Sequence, residues 1–438
     1  MTSPSAAYSA SFSRALTPPA AARQAGRAAG RLVAKTVRLD LAERPDLVAL
    51  AGDDGLLFAG PEGGMAARGV ALRIELPGGV ADADGVAAVA EALASIDVSD
   101  EVGLPGCGPV AIGALPFDRT AAGALVVPRV LVGLAADGTA WLTTIGEGAA
   151  PRLGLDALAP PAPRPSPDSF TLVSPQSHDE WCEMIAAAVE EVRTRLRKVV
   201  LAREVLVEAN RPIVTTAVLA RLRALYPGCM LFSAGGFLGA SPELLVARFG
   251  RSVRSHPLAG TVAHSGDPAV DDIMAARLMG SAKERYEHRV VVDSVAETLA
   301  PVCQSVDVPS GPSILTLRNV THLGTPITGT LRDPGTSALD LVARLHPTPA
   351  VGGDPHDEAL AYIDAVEPFD RGLYAGPVGW MDANGDGVWA VGIRSATVSG
   401  TKARLVAGVG VVAGSVPELE LAETQLKLQA LLAAVVRP

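Results

Sequence analysis

Lys198-Val-Val-Leu-Ala-Arg-Glu-Val-Leu-Val207 is the stretch on which the reading of the fold turns. Val199–Val207 is rich in β-branched residues and nearly continuous in apolar character, so it predicts a strand, with Lys198 at its start. Just upstream, His178–Arg197 repeats at helical spacing and puts Trp181, Ile185, Ala188 and Val192 on one face. Downstream, helices are expected over Val270–Leu299, Ala361–Val366 and Glu418–Val435. Strand-like runs lie between them at Val378–Trp380, Val388–Ile393 and Ala403–Val412. Residues 40–157 read as short strands and hairpins with one Ala-rich helix near 85–96. Strands interleaved with helices, some joined by tight turns, give an α/β protein of the α+β type with extensive antiparallel sheets flanked by helices.

At 438 residues the chain can bury a large core. Its net charge of −10, with no basic stripe to offset it, excludes a nucleic-acid surface. The short run Arg193, Arg195, Arg197 reads as a solvated edge. No apolar stretch is long enough to span a membrane. The four cysteines are far apart and form no C-x-x-C pair, so a reducing, cytoplasmic compartment is the expectation. Residues 1–39 lack Asp and Glu but carry Arg14, Arg23, Arg27, Arg31, Lys35 and Arg38. They read as a flexible leader, with an organelle transit peptide as the alternative. Ala-Pro-Pro-Ala-Pro-Arg-Pro-Ser-Pro-Asp168 is a loop that separates a motif-poor part, 40–168, from a motif-rich part, 169–438. No internal repeat is present.

Lysine is scarce, 5 against 32 arginines, and three of the five sit in dense polar clusters: Lys198, Lys283 and Lys427. A lysine kept away from water can give up its proton and act as a base, which arginine cannot. Lys198 is therefore the first catalytic candidate. Glu243, in Gly239-Ala-Ser-Pro-Glu243-Leu-Leu, lies among small and apolar residues, where a carboxyl stays protonated and serves as a general acid. A plain Lys198–Glu243 salt bridge is the other reading.

Three motif matches fail. Gly408-Val-Gly410-Val-Val-Ala413 resembles a dinucleotide fingerprint, but too little chain follows to complete the βαβ unit. Asp382-Ala-Asn-Gly-Asp-Gly387 opens like a calcium loop, yet its twelfth position is Ile393, so it is a hairpin turn. Glu284-Arg-Tyr-Glu287-His288 lacks the first histidine of a zinc-protease motif. The same segment does place Glu284 and Glu287 on one helix face. Glu420 and Glu423 repeat that spacing on the last helix, with Lys427 one turn beyond. Two such pairs suit either a hard cation, Mg²⁺ best of all, or two solvated helix faces.

Taken together, these segments resemble the chorismate-utilising enzyme family. The likeness is carried by Lys198-Val-Val-Leu-Ala-Arg203, Gly239–Leu245, Pro257-Leu-Ala-Gly-Thr261, Ser281–His288, Val320-Thr-His322-Leu and Leu345-His-Pro-Thr-Pro-Ala350. Glu367-Pro-Phe-Asp-Arg371-Gly-Leu-Tyr374, Ile393-Arg394, Gly408–Gly410 and Glu423-Thr-Gln-Leu-Lys427 complete it, collinear over roughly 172–430. The resemblance implies one large chorismate-binding domain over 40–438. It implies Mg²⁺ as cofactor, with Glu287 and Glu423 as ligands and Glu284 and Glu420 beside them. Thr261, Gly260, His322, Ala350, Tyr374, Arg394, Gly408, Gly410 and Lys427 would line the substrate site.

Within the family, Lys198 matches relatives that use water rather than ammonia, and Ala259 and Ala350 resemble those of isochorismate synthases. Tyr374 is more similar to salicylate synthases. The implied activity is isochorismate synthase, interconverting chorismate and isochorismate with Lys198 as base and Glu243 as acid. Salicylate synthase and a catalytically silent chorismate-binding subunit are the alternatives. Menaquinone or siderophore synthesis would use the product, the protein would be a monomer, and no glutamine amidotransferase partner is expected.

Overall fold

The computed structural model describes residues 31–61, 63–158 and 164–436. The leader up to residue 30 and residues 159–163 of the Pro-rich segment lie outside the described residues. The architecture is mixed α/β. A 13-stranded sheet and a 9-stranded sheet pack against each other, a 3-stranded sheet stands beside them, and helices cover the outside.

The predicted strand extends from Lys198 to Ala209 and pairs antiparallel with Lys402–Val411 over Val199–Glu208. It lies inside the larger sheet, which explains its unbroken apolar character: both faces are covered. On one side, the helix His178–Thr194 buries the expected face of Trp181, Ile185, Ala188 and Val192. Ser177 starts that helix with a reciprocal capping box to Glu180. Helices Thr215–Leu225 and Pro417–Val436 cover another part of this sheet, packing Leu222, Leu428 and Leu431 on Leu238, Leu405 and Ala407. Between the two large sheets lie Phe58, Trp141, Phe232, Phe237 and Trp380. Asp382–Gly387 closes the hairpin of Pro377–Asp382 with Gly387–Val391, as its turn chemistry predicts.

Strands from the motif-poor part are threaded through both sheets. Leu56–Gly60 pairs with Met230–Ala234, and Val110–Ala114 pairs with Pro377–Asp382.

Two expectations need correction. Residues 32–39 do not belong to a leader, because Leu32–Leu39 is a strand that pairs over its whole length with Ala140–Glu147 and runs parallel to Asp97–Asp100. Leu32, Ala34 and Thr36 alternate inward, while Arg31 and Lys35 reach Asp97 and Glu101 on the parallel neighbour. Val270–Leu299 is not one helix but two, Pro268–Gly280 and Ala282–Leu299. Ser281 breaks them apart with an extended backbone, and its hydroxyl accepts from Glu284 N to cap the second helix.

Candidate active site

A cleft with about 730 Å³ of empty space, counting its open mouth, lies among the Lys198 strand, the 3-stranded sheet and the last helix. Its wall contains Glu243, Gly260, Thr261, Glu287, His322, Ala350, Tyr374, Arg394, Gly408, Gly410, Glu423 and Lys427. Lys198, Glu284 and Glu420 stand one layer back. The structure thus brings every sequence-predicted residue to one place, with those three behind the surface rather than on it.

Lys198 is 1% exposed and pairs with Glu287, Nζ to Oε1 at 3.0 Å, rather than with Glu243. Gly410 makes that contact possible. A Cβ there would lie 2.1 Å from Glu287 Oε1 and 2.9 Å from Lys198 Cε. The strand position opposite Val200 is therefore empty so that the helix carboxylate can reach over it.

The other two clustered lysines are paired as well. Lys427 Nζ meets Glu423 Oε1 at 2.6 Å and donates to Gly408 O at 2.8 Å. Lys283 Nζ meets Glu420 Oε1 at 2.9 Å and Glu284 Oε1 at 3.7 Å. Burial, together with repulsion from Glu287 and Glu423, pushes the Glu284 carboxyl up to about 7. Burial and Glu423 likewise push up Glu420. The four carboxylates crowd one another. They are hard oxygen donors without His or Cys among them, which fits Mg²⁺ and not zinc. Among the described residues no three acidic, His or Cys side chains group tightly enough to hold an ion by themselves. A cation here would need water or an anionic substrate in its shell, which is how Mg²⁺ is commonly bound.

Glu243 follows the buried strand Phe237–Ser241 and is 3% exposed. Burial pushes its carboxyl up to about 8, against the opposing pull of Lys198, the Leu258 N–H and Lys427. It is neutral at pH 7, as expected from its apolar surroundings.

Arg394 sits in the left-handed region, φ 51°, a costly conformation for a non-glycine residue. The bend is held by Ala240 N donating to Arg394 O at 3.1 Å. Gly239 is needed opposite, since a Cβ there would be 2.6 Å from that oxygen. The guanidinium donates to His322 Nε2 at 2.9 Å. His322 Nδ1 is 3.1 Å from Gly260 O, which only accepts, so the proton is on Nδ1 and the ring is neutral. Burial first, then Arg394 and Lys427, hold its pKa well below the ordinary histidine range. Thr261 Oγ1 lies 3.2 Å from the same nitrogen. Arg394 is thus oriented without being neutralised, leaving a half-buried positive charge facing the cleft.

The residue reading missed how the walls are fixed. Arg371 and Glu367 form a bidentate pair, 3% and 2% exposed. Arg371 donates to Val200 O and Val351 O, both at 2.7 Å, while Glu367 Oε1 accepts from Ala202 N at 2.8 Å. Side chains here complete the hydrogen bonding of an open strand edge. The i,i+4 spacing of the two residues was the available signal.

Residues 151–436 match the family described as chorismate binding enzyme. The isochorismate synthase DhbC of Bacillus subtilis is 39% identical over 341 residues, covering 75% of this chain and 81% of that protein. The isochorismate synthase EntC of Escherichia coli is 35% identical, covering 74% and 80%. Among solved structures, MenF, the menaquinone-specific isochorismate synthase of Escherichia coli, superposes with a TM-score of 0.77 at 26% identity, covering 94% of this chain and 96% of that one. With the family match spanning the cleft and these relatives aligned over most of their length, the chain belongs to the chorismate binding enzyme family.

Proposed function

We propose that the protein is an isochorismate synthase, an isomerase that interconverts chorismate and isochorismate. The observation that carries this reading is Glu243: a buried carboxyl, pushed up to about 8, facing the same cleft as the half-buried guanidinium of Arg394. Removing a ring hydroxyl needs a proton donor, and binding a dicarboxylate needs fixed positive charge. Lys198 favours water addition over ammonia addition within the family, and Ala259 and Ala350 resemble the isochorismate synthases.

Arg394 and Lys427 hold the enolpyruvyl carboxylate, with Gly408 and Gly410 leaving room along the strand and Tyr374 closing the pocket. Thr261 and Gly260 border the ring carboxylate, and His322 keeps Arg394 aimed. Mg²⁺ held by Glu287 and Glu423, with Glu284 and Glu420 beside them, would neutralise the ring carboxylate. Lys198 takes a proton from the water that bonds to ring carbon 2. The ring double bonds shift and the carbon 4–oxygen bond breaks. The departing hydroxyl takes the Glu243 proton and leaves as water. One water enters and one leaves, so the reaction runs in both directions.

Incubating the protein with chorismate and Mg²⁺ and resolving products by chromatography tests this. Isochorismate at equilibrium with chorismate is expected. Rapid salicylate without added lyase would instead identify a salicylate synthase, the reading that Tyr374 favours. Lys198→Gln should abolish water addition while chorismate binding persists. Full turnover by that variant would remove Lys198 from its role as base.

A further inference from the structure

A second, open pocket with about 810 Å³ of empty space, counting its mouth, lies outside the cleft, between the end of the Thr215–Leu225 helix, the turn joining strands Ser313–Thr316 and Val320–Gly324, and the last helix. That is room for a substituted ring. Leu225 supplies apolar wall, Tyr226 and Asn319 line the side toward the active site, and Arg221, Arg318 and Gln429 supply polar groups. Neither arginine meets a carboxylate among the described residues. Arg221, half-buried, donates to Ala434 O at 2.9 Å, and Arg318 makes no hydrogen bond or ion pair there. In a chain with net charge −10, two uncompensated guanidiniums facing one cavity form an anion-attracting spot.

Among the described residues none lines both this pocket and the catalytic cleft; the link between them runs through Tyr226 and Asn319. Tyr226 lies within electrostatic reach of both Arg394 and Arg318. Tyr226 Oη donates to Asn319 Oδ1 at 3.3 Å, and Asn319 Nδ2 donates to Leu426 O at 2.8 Å, one residue from Lys427. Three residues beyond Asn319, on the strand Val320–Gly324 that follows the turn, is His322, which accepts from Arg394. An anion in this pocket would face Tyr226 and Asn319, which lead by these contacts toward both cations of the proposed enolpyruvyl site.

We propose that this cavity is an effector site for a small ring carboxylate, and that filling it weakens substrate binding in the cleft. The second half rests on the proposed reading of the cleft as a chorismate site; the first does not. Benzoate is the probe and benzyl alcohol, which lacks the charge, its control. Calorimetric titration needs no turnover. Benzoate should bind wild-type protein, benzyl alcohol should not, and Arg318→Gln and Arg221→Gln should each lower the benzoate affinity about tenfold. Saturating benzoate should raise KM for chorismate about fivefold or more in the wild type, leave kcat alone, and have no effect in Arg318→Gln. Equal benzoate affinity in wild type and both variants would place the molecule in the catalytic cleft and overturn the proposal, as would no binding at millimolar benzoate. Arg318-dependent binding in a protein without isochorismate synthase activity would refute the function and leave the effector site standing.

Discussion

Gly410→Ala adds one methyl group at the point where strand, lysine and glutamate converge. Gly410 does not occupy the left-handed region, so alanine is acceptable to the backbone, and the loss of unfolded-chain freedom favours the variant by about 0.4–1 kcal/mol. Its effect is local. The new Cβ would lie 2.1 Å from Glu287 Oε1, while a relaxed contact needs about 3.2 Å or more, so the carboxylate must retreat by about 1 Å. Lys198 Cε, at 2.9 Å, is pressed from the same side. Displacing reacting groups by about 1 Å costs on the order of 100-fold in rate, or about 2.7 kcal/mol of barrier. A coupled assay of isochorismate formation should therefore show kcat/KM down about 100-fold. Thermal denaturation should show an unchanged or slightly raised midpoint. Turnover within threefold of wild type in the folded variant would refute the placement of Glu287 and Lys198 in the chemistry.

Four further outcomes follow from the geometry. With Glu243 as the proposed proton donor and burial pushing its carboxyl up to about 8, kcat/KM should fall above that pH as the carboxyl ionises; Glu243→Gln should lose activity at every pH. Chelation with EDTA should abolish turnover and added Mg²⁺ restore it, while far-ultraviolet circular dichroism stays constant. Glu367→Gln leaves the Arg371 charge buried without its partner and should cost about 3–5 kcal/mol in chemical denaturation. Lys283→Met removes the cation between Glu420 and Glu284 and should weaken Mg²⁺ dependence or stability far less than loss of Glu287, read by metal titration of activity.

Much of this arrangement was legible in the residues. The Lys198 strand, the Asp382–Gly387 turn and the paired glutamates all stood where local patterning put them, because propensity and periodicity are short-range signals. The break at Ser281 was readable too, since Ser281-Ala-Lys-Glu284 is a helix-start pattern, but apolar spacing continued across it and masked the signal. Leu32–Leu39 alternated like a strand and was hidden by the acid-free composition around it; its acidic partners lie on another strand. What no local pattern holds is the partnership of Lys198 with Glu287 rather than Glu243. That choice depends on which helix crosses which strand, and on the missing side chain at Gly410.

The threading of Leu56–Gly60 and Val110–Ala114 through the two large sheets has a consequence for how the molecule must be inherited and assembled. The family match begins at residue 151, yet that boundary is not a seam in the protein. Cutting there would strip Met230–Ala234 and Pro377–Asp382 of a neighbour each, opening two mid-sheet edges that present unpaired amides to any passing chain. The first third of the sequence is thus part of the same folding unit, and the motif-rich part cannot finish folding until strands made long before it have been captured.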